Sequence, residues 1–111
     1  MLIIESNPDL RGTLVAACQA RDIPARAVVR IAEIEEWPSG QVVVTDVAHL
    51  TPLWKEVGAR AVVVLVDGPE EGIASLANGA TDWLGRDLCE AVQGVVRVAE
   101  RCADRGDSVP R

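Results

Sequence analysis

Apolar residues along this chain come in two patterns. Met1 to Ile4, Val42 to Val44 and Ala61 to Val66 are short apolar runs, rich in β-branched residues, that read as strands buried on both faces. Ala25 to Val29 and Thr81 to Leu84 are weaker runs of the same kind. Between them apolar positions recur at helical spacing, as in Leu10, Leu14, Val15 and Cys18, or Leu88, Val92, Val95, Ala99 and Cys102. Asn7-Pro8 supplies a capping side chain and a proline for a helix running to about Arg21, which Asp22-Ile23-Pro24 stops. Short helices are predicted over Ile31 to Trp37 and Pro52 to Val57, with the Pro38-Ser39-Gly40 turn between them. Asp67-Gly68-Pro69 opens a further helix to about Asn78, with Gly79 placed to cap it, and a last helix spans Asp87 to Ala103.

Five strand-helix units in series predict an α/β protein with a doubly wound parallel sheet, because βαβ crossovers are right-handed. Ligands of such sheets bind outside the carboxyl ends of the strands, where Glu5 and Asp46 fall. Residues 1–103 form the expected domain, and Asp104 to Arg111, polar and without periodicity, reads as a tail or the start of a linker.

Composition narrows the function. At 111 residues and 49% hydrophobic the chain can bury one core, with Trp37, Trp54 and Trp83 as its only aromatics. A net charge of -6 without a basic cluster argues against direct nucleic-acid binding. Cys18, Cys89 and Cys102 are odd in number and widely spaced, which predicts a reduced, cytoplasmic protein whose cysteines are small core residues. The longest apolar run is too short to cross a bilayer, so no membrane role is expected. There is no G-x-G-x-x-G, Walker sequence or Ser-His-Asp set, and His49 reads as a loop residue without a role.

Three stretches carry a resemblance: L-I-I-E-S-N-P-D-L-R from Leu2, V-V-V-T-D ending on Asp46, and L-A-N-G-A-T-D-W-L-G-R-D ending on Asp87. From about Met1 to Ala103 the chain resembles a response-regulator receiver domain, CheY-like, and within that family the NarL/FixJ type. The resemblance implies a flavodoxin-like sheet of order 2-1-3-4-5, which would bring Glu5 and Asp46 into one pocket. Asp46 occupies the phosphoacceptor position, and Glu5 with Ser6 the acid pair that holds Mg²⁺.

Departures from the family pattern accumulate at that pocket. Ser6 replaces an acid with a neutral hydroxyl, a poor ligand for a hard cation, leaving at most a weak Mg²⁺ site at Glu5 and Asp46. Val66 stands where a Thr or Ser hydroxyl senses the phosphoryl group, and Arg86 where a lysine is usual. Trp83 matches the aromatic switch position, now without its hydroxyl partner. Arg86 is expected to pair with Asp46 or Glu5 and so supply internally the positive charge a metal would bring.

The leading reading is a non-enzymatic, atypical receiver in signal transduction or transcription regulation that acts by protein contacts and carries no cofactor. Its partner is another protein or its own output domain; a homodimer would form through the family's helix 4-strand 5-helix 5 face, here Ile73 to Asn78, Trp83 and the outer side of Asp87 to Arg101. Two alternatives stand beside it: a conventional receiver phosphorylated on Asp46 by a histidine kinase, and an unrelated flavodoxin-like protein binding a small ligand.

Overall fold

The computed structural model describes residues 1–107. Five parallel strands, β1 (Leu2–Ile4), β2 (Arg26–Val28), β3 (Val42–Asp46), β4 (Ala61–Val66) and β5 (Asp82–Gly85), form one sheet in the order β2-β1-β3-β4-β5. The helices are α1 (Pro8–Gln19), α2 (Leu53–Glu56), α3 (Pro69–Ala77) and α4 (Leu88–Asp107). The doubly wound parallel architecture and the strand order are therefore those expected. Val42 to Thr45 and Val62 to Val66 are all buried, as central strands covered on both faces should be.

The first helix begins as its sequence requires. The Asn7 side chain accepts hydrogen bonds from the Asp9 and Leu10 amides at 2.9 and 3.2 Å, and Pro8 takes a position whose missing N–H costs nothing. Leu10, Leu14 and Cys18 then face the sheet. Together with Ile3, Val44, Val63, Leu65, Ala91 and Val95 they make the core under α1 and α4. At the far end of the chain α4 runs on to Asp107, past the expected boundary at Ala103. The packing expected of Leu88, Cys89 and Cys102, and residues 108–111, lie outside what is described.

The opposite face is built differently. Instead of the helix predicted over Ile31 to Trp37, the chain makes one 3-10 turn, Ile31–Glu33, and then runs irregularly to β3. The Glu33 carboxylate turns back to accept the amides of Val29 at 2.7 Å and Arg30 at 3.1 Å, a capping box at the start of the turn, and Ile34 at its end is already extended. The Arg26 guanidinium donates to the Glu36 carbonyl, holding the following residues against the edge strand. The next crossover is equally trimmed, since α2 has only four residues.

Two indoles supply the covering that longer helices would give. Trp54 is fully buried among Leu2, Ile4, Val43, Val62, Val64 and Val66, and Trp37 lies against it with ring centroids 6.1 Å apart, tilted by 56°. The Trp54 indole N–H donates to the His49 carbonyl at 3.1 Å, so its one polar atom is not stranded in the core. Gly79, with φ of 102°, ends α3 in a conformation that side-chain-bearing residues avoid.

Two predictions follow from this thin face. Trp54→Ala should cost about 3–5 kcal/mol in urea denaturation, because it deletes the largest fully buried side chain among the described residues. Backbone hydrogen bonds from Val29 and then Arg30 hold the Glu33 carboxyl below its ordinary value of 4.5. Its contribution is therefore present above that value and lost as pH falls through the lowered folded one. The difference in melting temperature between the parent and Glu33→Ala, measured across the acid range, should shrink towards zero as pH falls; a constant difference would refute the capping role.

Candidate functional site

The carboxyl ends of the strands gather the candidate residues. β1 lies beside β3, with Ile4 opposite Thr45, so Glu5 and Asp46 leave the sheet as neighbours. Val66 ends β4 opposite Gly85, and the Arg86 amide continues that ladder by donating to the Val66 carbonyl at 2.9 Å. Two strands separate β5 from β1, and only a long side chain can bridge them.

Arg86 does so. Its Nη2 donates to Glu5 Oε2 at 3.0 Å, and Nη1 stands 2.8 Å from Oε1. The second contact is off the N–H direction and is a charge contact more than an aligned hydrogen bond, leaving Oε1 without one. Glu5 is 0% exposed and also accepts the Asn7 amide at 2.9 Å. Of the two acids expected to compete for Arg86, Glu5 holds it. The hydrogen bond to Glu5 raises the Arg86 pKa, partial burial opposes it, and the charges of Glu5, Asp67 and Asp46 add to the rise. The guanidinium is a permanent cation. Asp67 lies 3.7 Å away but is 83% exposed, and so contributes little.

A second arginine closes the β1–α1 connection: Arg11 Nη1 donates to the Glu5 carbonyl at 2.8 Å. Ser6, the other half of the expected acid pair, is exposed.

Asp46 is satisfied elsewhere. Its Oδ1 accepts the His49 amide at 2.9 Å and lies 2.7 Å from His49 Nδ1, capping the 3-10 turn Val47–His49. Asp46 is thus neither the partner of Arg86 nor simply solvated. His49, read from sequence as a loop residue without a role, is its partner. An acid three residues before a histidine at a strand end is the signal that could have shown it, since that spacing spans one capped turn.

The donor set does not suit Mg²⁺. A hard cation needs several free anionic oxygens, whereas Glu5 is spent on Arg86 and Asn7, and Asp46 Oδ1 on His49. Among the described residues no group of three His, Cys, Asp or Glu could hold a metal ion. These pairings occupy one oxygen of each acid of the weak Mg²⁺ site considered at Glu5 and Asp46.

The switch positions are equally set. Val66 is buried in the core of the second face with no polar group to offer. Trp83 is half-buried, its indole flat on Gly72 of α3, where a Cβ would come within 2.2 Å of the ring. Only glycine permits this approach. Outside that contact α3 presents Ile73, 66% exposed, and Leu76, 44% exposed.

The ion pair generates a stability prediction. Arg86→Ala strands a buried carboxylate and should cost somewhat less than the about 3–5 kcal/mol typical of a broken buried pair, because Arg86 keeps some solvent. Adding Glu5→Gln should recover much of the loss in a double-mutant cycle read by denaturant unfolding. Additive losses would show that the two side chains do not interact.

No family model and no curated protein sequence matches the chain. Solved structures do. The receiver domain of the Francisella response regulator 1452 is 18% identical, with a TM-score of 0.64 over 90% of this chain and 95% of that one. An atypical orphan response regulator, described as revealing a phosphorylation-independent regulatory mechanism, is 17% identical, with a TM-score of 0.71 over 92% of this chain and 93% of that one. These structural neighbours are response-regulator receiver domains, and the fold of this chain is the flavodoxin-like, CheY-like fold that they share.

Proposed function

We propose that this chain is an atypical receiver domain, a non-enzymatic signalling module that regulates through protein contacts and without Mg²⁺-dependent phosphorylation. The observation that carries the reading is the Glu5–Arg86 pair: a fixed guanidinium stands against the one acid left of the metal-holding pair. Phosphoryl transfer of this kind is mostly positioning and charge neutralisation by bound metal. With Glu5 neutralised from within, the pocket has one acid fewer to recruit a metal and a cation of fixed position beside it. Asp46 held by His49, and a valine at Val66, support the same reading.

The contact face proposed is the outer side of α3 with Trp83. Ile73 and Leu76 are exposed apolar residues on one helix, next to an indole already held in place by Gly72. Pre-ordered aromatic and aliphatic groups of this kind make good anchors. The partner is a second copy or an output domain. The NarL/FixJ-type likeness of Leu76 to Asp87 favours a transcription regulator as the parent protein, located in the cytoplasm.

One observation favours the conventional receiver instead. Both His49 contacts fall on Asp46 Oδ1, so Oδ2 remains for attack on a phosphoryl donor. Incubation with acetyl phosphate and Mg²⁺, with Asp46→Asn in parallel and intact mass as readout, separates the two. No adduct on either protein is expected. An adduct on the parent alone would restore the conventional switch and overturn the proposal.

A further inference from the structure

We infer that the turn after β3 couples the Asp46 pocket to the surface around Trp37, so that a change at Asp46 is read at Trp37 instead of at Trp83. The coupling runs through contacts already in place. Asp46 Oδ1 fixes both the amide and the ring of His49, at 2.9 and 2.7 Å. The His49 carbonyl, on the other side of the same residue, accepts the Trp54 indole N–H at 3.1 Å. Trp54 in turn supports Trp37, which is 43% exposed.

Each link constrains the next. Anything that takes Oδ1, whether a cation, a covalent group or a substitution, competes with His49 for the same lone pairs. Once His49 is released, its carbonyl is no longer held where the indole needs it. Trp54 is 0% exposed and cannot turn to water for a replacement, so an orphaned N–H is costly and the ring must shift. Trp37 rests on that ring in an irregular segment that no helix stiffens, and it is the residue free to respond.

The other route out of the pocket is shut. Val66 has no group that could report on Asp46, and Trp83 lies close against Gly72 of α3. The inference does not depend on how the pocket is used. A phosphoryl adduct at Asp46 would overturn the proposed function and leave this coupling standing, whereas failure of the coupling leaves that proposal untouched.

The test uses tryptophan emission and acrylamide quenching of the full chain. His49→Ala and Asp46→Ala are compared in a Trp83→Phe background, where Trp37 and Trp54 report, and in a Trp37→Phe background, where Trp54 and Trp83 report. Each substitution should red-shift emission and raise quenching more when Trp37 is present than when it is replaced, and the two together should do no more than either alone, as members of one chain of contacts do. Trp54→Phe keeps a ring but removes the N–H, and should abolish the response to His49→Ala. Unchanged spectra, additive effects, an equal response without Trp37, or a response that survives Trp54→Phe would each overturn the inference.

Discussion

A carboxylate that is entirely out of water must be answered by a cation, and at Glu5 that requirement organises the whole carboxyl end of the sheet. The answering charge comes from the far side of the pocket, across two strands, so β1 and β5 are tied together at their ends by one side chain. The bond is strong only while both members are present. A single cation of fixed geometry answers the Glu5 charge from the moment of folding.

Around this tie the rest of the molecule divides unequally. One face has two real helices, α1 and α4, over a core of aliphatic side chains. The other has α3, a single turn of α2 and three tryptophans. The trimming and the tryptophans belong together. Shortened crossovers leave apolar sheet uncovered, and a large flat side chain is the most economical way for few residues to cover it. The Trp54 N–H then needs an acceptor, and the turn capped by Asp46 supplies it. Covering the sheet and capping the turn after β3 are thus parts of one arrangement.

How much of this could be read beforehand depended on how local each cause was. The valine runs of β3 and β4 and the Asn7-Pro8 helix start are local signals, and the structure follows them. The positions of Glu5 and Asp46 at strand ends were equally legible. The choice of Arg86 between those two acids was not, because it turns on where β5 falls in the sheet and on which acid is already occupied. His49 was missed because its partner is chosen by the backbone of a turn and not by a chemical motif. The helix predicted over Ile31 to Trp37 does start, with Glu33 closing its first turn, but it does not continue past Ile34. Trp37 and Trp54 were legible as packing residues, but not as replacements for missing helices.

The substitution of rings for helices also changes how this face can open. A helix is removed from a sheet by breaking many contacts at once, and such cooperative units open rarely. An indole resting on another indole moves by side-chain rotation, which is fast and needs no backbone hydrogen bond to break. Amide hydrogen exchange should therefore be lopsided, with the amides of β2 and the run from Ile31 to β3 exchanging well before those of α1 and β3. The protein carries a stiff side and a soft side on one sheet, and the soft side is the one its shortened crossovers created.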